Sequence, residues 1–304
     1  MIEKENNVIM KGIGNMVNKI SIIGGDLRII KLANMLAKDN VEIYTFGSEK
    51  SKELQENDKI YKCNSIDEAI EKSEVIIGPV PLSSNLIDIN APFAKEKISI
   101  DSLIEKLKGK TFIAGAIKEE VLNKMIDVKV IDIMKREELT ILNTVSTAEG
   151  AIQIAMEKTP RTIHGSKVLV MGFGRVGKMV AKMLNGLGAK VYCEARKNSD
   201  IAWIKAYGYN EVRLNELDEY LEKFDIIINT IPYVLLNSNN LIKVKKECLL
   251  IDLASNPGGI DKKAVKELGL NMEWALSLPG KVAPITSAEC IKDTLYNLFN
   301  EMGI

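Results

Sequence analysis

The sequence is short of the residues that most often carry chemistry unaided. Histidine occurs once in 304 residues, as His164. Hydride-transfer enzymes acting on alcohols commonly use a histidine as proton carrier. This one falls just before an apolar strand, at the end opposite the one where ligands bind, and is expected to be structural. Cysteine is sparse as well: Cys63, Cys193, Cys248 and Cys290 are scattered with no C-x-x-C pair. That excludes a disulfide framework, points to buried free thiols in a reducing cytosol, and leaves no metal site to expect. Neither charge sign is in excess, with 41 Lys+Arg against 41 Asp+Glu, so no global field draws the chain to nucleic acid or to an anionic membrane. No run approaches the roughly 18 apolar residues that a membrane span needs. Glu3, Lys4 and Glu5 at the start, without an apolar core, do not read as a signal peptide. What remains, 46% hydrophobic and 27% charged residues, fits a soluble globular protein long enough for two domains.

The most informative stretch is Lys167 to Arg196, KVLVMGFGRVGKMVAKMLNGLGAKVYCEAR. Val168 to Met171 reads as a short buried parallel strand. Gly172, Gly174 and Gly177 follow as G-x-G-x-x-G. Val176, Met179, Val180, Met183, Leu184 and Leu187 then recur at helical spacing. Alone the glycine pattern is weak; between a strand and a helix each glycine has a physical task. Gly172 permits the tight turn, Gly174 lets backbone approach a pyrophosphate, and Gly177 lets helix and strand pack closely. Arg175 and Val176 open the helix, whose N-terminal N–H groups favour phosphate. The second strand ends at Ala195, where an NAD enzyme usually places a carboxylate for the ribose 2′-hydroxyl. Arg196 and Lys197 follow. Glu194 lies one position earlier and by strand alternation points the other way. The reading is therefore NADP, its 2′-phosphate gripped by Arg196, with NAD as the alternative should Glu194 turn inward.

Strand–helix alternation before this stretch predicts a similar unit, with Gly24-Gly25-Asp26 after an apolar strand at Ile20 to Ile23 but no G-x-G-x-x-G. Arg28, just inside the helix that follows, is either a ligand for an anion or a solvated surface residue. The loop Pro79 to Asn85 ends a strand and offers Ser83, Ser84 and Asn85 to a carboxylate, unless it is an ordinary proline-stiffened turn. Asn143 to Glu157 reads as a connector helix N-capped at Ser146 or Thr147, with Glu149 near its start. Beyond the glycine turn, the strand ends Thr230-Ile231-Pro232, Leu253-Ala254 and Pro279-Gly280-Lys281 carry small or polar residues that allow a ring or ribose to come close. Asp252 is the carboxylate at one of these ends. The tail, amphipathic through Ala288, Ile291, Leu295, Leu298 and Phe299, is expected to pack on the first domain. The predicted architecture is α/β: two Rossmann-like doubly wound parallel-sheet domains with a ligand cleft between them. Its parts are a polar leader at 1–18, an N-terminal substrate domain at 19–145, an NAD(P)-binding domain at 146–282 and a C-terminal helix at 283–304.

The segments TAEGAIQIA, HGSKVLVMGFGRVG, CEARK, DIIINTIP, LLIDLASNPGGID and WALSLPGKVAPITSAE together resemble the family of dipicolinate synthase A subunits. LIDLASNPGG and LPGKVAPITS are also similar to strand ends of alanine dehydrogenase, but the lysine and histidine which that family carries in its first domain have no counterpart here. The resemblance implies an NADP-dependent oxidoreductase of sporulation, in the cytoplasm of the mother cell of a spore-forming bacterium. It would oxidise a hydroxytetrahydro- or dihydrodipicolinate to dipicolinate and work with a flavoprotein-like B subunit; by analogy the chain is also a homo-oligomer. A dianionic substrate would then be met by Arg28, the Ser83 to Asn85 loop and Lys281. Thr147, Glu149 and Asp252 are the candidates for orienting the ring or moving a proton. Two other readings stand: a dehydrogenase of another small amino or hydroxy acid, and a non-catalytic subunit that senses the dinucleotide.

Overall fold

The structure, a computed structural model, describes residues 17–304; the expected leader lies outside the described residues apart from its last two positions. The described chain forms two α/β units, one running to Thr140 and including Pro284–Ile304, the other Ile141–Ala283. The first holds β1 (Lys19–Ile23), β2 (Glu42–Phe46), β3 (Ile60–Lys62), β4 (Val75–Ile77), β5 (Thr111–Ala114) and β6 (Lys129–Asp132). They form one parallel sheet in the order β3-β2-β1-β4-β5-β6. The second holds β7 (Lys167–Met171), β8 (Lys190–Ala195), β9 (Asn210–Arg213), β10 (Ile226–Asn229), β11 (Leu249–Asp252) and β12 (Asn271–Trp274). Their order is β12-β11-β10-β7-β8-β9, again parallel. Counted from each unit's first strand the two orders are identical, the doubly wound arrangement.

The central strands are largely apolar because helices cover both faces of each sheet; the buried Ser21 inside β1 is satisfied by donating to the Ala69 carbonyl. In β7, Val168 and Val170 enter one hydrophobic cluster while Leu169 and Met171 enter the opposite one. Two strands were not foreseen, β3 and β9, and they occupy the same edge in each sheet. Their sequences, IYK and NEVR, are short and mostly exposed or half-buried, as an edge strand's are when one margin faces water.

Two elements differ from expectation. The helix expected to start at Ser146 or Thr147 spans Glu137–Lys158. Glu137 and Glu138 occupy its first turn, where the helix dipole favours negative charge. Thr147 sits mid-helix and donates its hydroxyl to the Asn143 carbonyl at 2.8 Å, a bond that mimics a cap in sequence but occurs inside a helix. The loop expected after β12 contains a short helix, Leu278–Val282, with Pro279 in its first turn, where a missing N–H breaks no bond. The tail forms the helix Pro284–Met302, and its Ile291, Leu295, Leu298 and Phe299 share a cluster with Leu32 and Leu36 of the helix Leu27–Lys38. Lys292 and Tyr296 both reach the Asp39 carboxylate, and Arg136 pairs with Glu301.

Candidate dinucleotide and active site

The glycine turn connects β7 to the helix Arg175–Gly186. Gly172 has φ +87°, and a Cβ there would sit 2.7 Å from Thr230 Oγ1. At Gly177 a Cβ would fall 2.0 Å from the Gly172 carbonyl oxygen, so only glycine allows the helix to approach the turn this closely. Gly174 differs: its φ is −78°, and nothing lies within 4 Å of where a Cβ would stand. It is also the helix N-cap and supplies no side-chain cap bond. The turn thus presents open space directly in front of helical N–H groups, and these residues fit a pyrophosphate. The equivalent turn of the first unit does not. There Gly25 N–H donates to Asn90 O and the Asp26 carboxylate caps the helix by accepting from Arg28 N–H, whereas the Gly24 N–H bond to Phe46 O only repeats the bond of Gly172 N–H to Glu194 O in the second turn. Backbone and a carboxylate already hold the place a phosphate would need.

Beside the second turn lies a cavity of about 570 Å³ lined by Phe173, Glu194, Arg196, Lys197, Asp200 and Tyr233, among others. Its geometry corrects the expected direction of Glu194. The β7–β8 register pairs Met171 with Glu194, so Glu194 and not Ala195 stands beside the start of the turn. The Glu194 side chain turns inward, and its carboxylate accepts from Gly172 N–H at 3.3 Å. It is 2% exposed. Burial pushes its pKa up, against the pull of the Gly172 N–H and the Arg196 charge. A carboxyl with a higher pKa in the folded than in the unfolded chain stabilises the fold at low pH, and that contribution is lost as pH rises through the raised value. Glu194→Gln, which cannot ionise, is therefore expected to raise Tm at pH 8. The gain should shrink toward pH 4.5, the group's ordinary value, in thermal melts across pH.

The other strand ends form a hydrogen-bonded frame around the turn. Thr230 Oγ1 donates to Met171 O at 2.8 Å, and Ile231 N–H donates to Asn229 Oδ1. Asn229 Nδ2 donates to Asp252 at 2.7 Å; Ala254 N–H adds a second donor, and Gly259 and Ile260 N–H groups occupy the other carboxylate oxygen. Asp252, fully buried, is thus the acceptor that holds the 253–260 loop. Gly259 is required here, since a Cβ would lie 2.2 Å from Asn229 Nδ2. Asn229 was missed in the sequence, although it stands directly before Thr230, because its partner Asp252 is 23 positions away. Leu214 and Tyr233, also missed, line the cavity; the signal was an exposed aromatic at a strand end.

Among the remaining candidates, Arg175, Pro232 and Lys281 are exposed, whereas Val176, Leu253 and Pro279 are half-buried and Ala254 is buried. Arg28 is buried and engaged: it pairs with Asp26 and donates to the Val80 carbonyl, so it ties the Gly24–Asp26 turn to the Pro79–Asn85 loop. Ser83 Oγ donates to Asp88 O and accepts from Leu86 N–H, while Asn85 Oδ1 accepts from the Ile87 and Asp88 N–H groups. Those polar atoms build the loop, and Ser84 beside them is exposed. Glu149 is exposed and lines an apolar groove with Ile152, Met156, Met183 and Leu187. Met183 and Leu187 lie at the carboxyl end of the helix Arg175–Gly186, about 15 Å along its axis from the turn, so the structure does not bring Glu149 to the glycines. His164 lies with Arg161 and Asp225 before β7, at the edge opposite the turn.

Comparison with known proteins gives two family matches. Residues 19–135 match the N-terminal domain of the dipicolinate synthase A subunit. Residues 142–268 match the D-isomer specific 2-hydroxyacid dehydrogenase NAD-binding domain. The chain is 31% identical to the dipicolinate synthase A subunit of Bacillus subtilis (strain 168) over 93% of this chain and 96% of that one. A crystal structure of the dipicolinate synthase A subunit from Bacillus halodurans superposes with a TM-score of 0.84 at 29% identity, covering 93% of this chain and 99% of the other. L-alanine dehydrogenase shares the fold alone, with a TM-score of 0.63 at 13% identity over 91% of this chain and 88% of that one.

Proposed function

The chain belongs to the family of dipicolinate synthase A subunits and is an NAD(P)-dependent oxidoreductase with a nicotinamide dinucleotide cofactor, and from this we propose that it oxidises dihydrodipicolinate, or the hydroxytetrahydrodipicolinate that dehydrates to it, to dipicolinate during sporulation. The observation that carries the reading is the open turn at Gly174 set beside the Glu194–Arg196 cavity, in a chain aligned with this family over nearly its whole length. Gly172, Gly174, Arg175, Val176 and Gly177 hold the pyrophosphate. Ala195, Arg196, Lys197, Thr230, Ile231 and Pro232 surround the adenosine end. Leu253, Ala254, Pro279 and Gly280 lie along the remaining strand ends. When bound, the oxidised nicotinamide supplies a hydride acceptor. Ring aromatisation drives the reaction, so the chain's task is chiefly to hold the substrate in place.

Lys281, exposed on its short helix, and Ser84 are the groups we assign to the substrate carboxylates. Arg28, Ser83 and Asn85 act behind them by fixing the loop geometry. Thr147 retains acceptor lone pairs for orienting the ring, its proton being given to Asn143. Asp252 positions the loop after β11 rather than moving a proton, and we assign Glu149 no step. The expected partners are a second copy of this chain and a B subunit; the lettered name of the Bacillus subtilis relative supports the latter.

NADP is the first reading on Arg196 and Lys197, the exposed cations among the cavity's lining residues, although the inward Glu194, bonded to Gly172, meets the condition under which the sequence reads NAD. NAD is the second reading, favoured by the inward Glu194, which stands where a 2′-hydroxyl partner would. Arg196→Ala separates them: NADPH is expected to bind about tenfold or more weakly, the scale of a lost charged contact to phosphate, with NADH nearly unchanged. Equal losses, measured by nucleotide fluorescence titration, favour NAD. The reaction itself is tested by following NADPH at 340 nm with the product of dihydrodipicolinate synthase as substrate, with and without a B subunit. Signal from this chain alone supports the proposal. Signal only with the partner assigns part of the site to that partner, and none in either case returns the reading to an amino- or hydroxy-acid dehydrogenase.

A further inference from the structure

The two units repeat one topology, but their second strands end in differently equipped cavities. In the second unit the cavity beyond β8 borders the glycine turn. In the first unit a larger cavity, about 720 Å³, opens at the corresponding place, beyond the carboxyl ends of β2 and β3. This is well within the size range of small-ligand sites. Its floor is apolar: Phe46 at the end of β2, Ile66, and Ala94 and Ile98 from the loop before the helix Ile100–Lys106. Its rim carries Lys62, Lys95 and Lys97, all exposed. Lys97 also reaches Asp88 at 3.5 Å. Asn64, Ser99 and Ser102 supply amide and hydroxyl groups.

The acids at this rim bear on what the cavity accepts. Glu49 is turned to its own backbone, accepting from Gly47 N–H at 2.7 Å and Lys95 N–H at 3.2 Å. Those bonds seat the segment carrying the lysines and hold the Glu49 carboxylate to the backbone. Glu96 is exposed beside them. An apolar floor under a rim with three lysines against two carboxylates, Glu49 and Glu96, suits a ring-bearing anion. A dinucleotide is excluded, because Asn90 O and Asp26 occupy the turn where its pyrophosphate would lie.

We propose that the first unit carries a second ligand site, distinct from the dinucleotide cavity, for a nucleoside monophosphate whose base rests on Phe46 and Ile98 and whose phosphate is met by Lys62 and Lys95. The site is the adenosine half of the duplicated architecture, kept after the pyrophosphate half has closed. A ligand there occupies the first unit without displacing the cofactor. The inference rests on the dinucleotide assignment of the second unit, so NADPH affinity is measured on the same protein to keep the two apart.

The test is an isothermal titration of the full chain with AMP, with and without saturating NADPH. The expected result is one AMP per chain in both conditions. Ser102→Trp, at an exposed lining position, should fill the cavity, and the double substitution Lys62→Ala, Lys95→Ala should weaken AMP by about tenfold or more; both should leave NADPH affinity unchanged. Adenosine and inorganic phosphate should each bind more weakly than AMP. AMP that is displaced by NADPH, or unaffected by Ser102→Trp, overturns the site, as does an absence of AMP binding while NADPH still binds. Phosphate or adenosine binding as tightly as AMP overturns the ligand class, and so does pyridine-2,6-dicarboxylate binding more tightly than AMP in the same cavity. Loss of NADPH binding in the parent protein would instead strike the cofactor assignment.

Discussion

Gly174→Val is expected to abolish dinucleotide binding while leaving the fold intact. The residue's φ of −78° is one any L-amino acid adopts, and no atom lies within 4 Å of the added Cβ. The folded chain therefore resists the side chain only by the modest cost of valine in place of glycine at a helix N-cap. The space that receives it is the space in front of the helix N–H groups, so the branched methyls stand where phosphate oxygens would accept hydrogen bonds. Charge-assisted bonds to several N–H groups are lost together, and affinity should fall by at least about a hundredfold. Fluorescence titration with NADPH reads the loss, while circular dichroism and Tm should match the parent. Gly177→Val provides the contrast. Its Cβ would lie 2.0 Å from the Gly172 carbonyl, so that variant should lose stability as well as binding. Retained NADPH binding in Gly174→Val would contradict the phosphate assignment outright.

Asp252→Ala is expected to destabilise the second unit severely. The carboxylate is fully buried and accepts from Asn229 Nδ2 and from the N–H groups of Ala254, Gly259 and Ile260. Removing it strands four donors away from water, each worth roughly 1–3 kcal/mol when left unpaired. Even with water entering part of the space, a loss of about 4 kcal/mol is the expected scale. That corresponds to a fall in Tm of about 10 °C for a unit of this size. Asp252→Asn should not restore the site, since its amide N–H groups would face the N–H groups of Gly259 or Ala254. A catalytic aspartate behaves differently: its asparagine variant folds normally and is inactive. Wild-type stability in Asp252→Asn, with turnover lost, would return Asp252 to the chemistry.

Much of the architecture was legible because it is written in local patterns. The strands β7, β10 and β11 carry unbroken runs of three or four apolar residues and β1 a run interrupted only by Ser21, and the glycine spacing marks the one turn that must be tight at Gly172 and close-packed at Gly177. The tail helix announced its buried face through residues from Ala288 to Phe299. The edge strands β3 and β9 escaped because a strand covered on one margin need not be apolar. The start of the helix Glu137–Lys158 was misplaced because Ser146 and Thr147 have the side chains of caps, while both lie within a longer helix where the Thr147 hydroxyl faces the Asn143 carbonyl.

Residues adjacent in the chain therefore specify the duplicated strand–turn–helix order, the unit that binds a dinucleotide, and the family. What the polar side chains do was settled by packing. Glu194 faces Gly172 across 22 positions, Asn229 faces Asp252 across 23, and Arg28 reaches Val80 across 52. A carboxylate or guanidinium acquires its role from the donors and acceptors packed around it, and in a parallel sheet those arrive from neighbouring strands far apart in the chain.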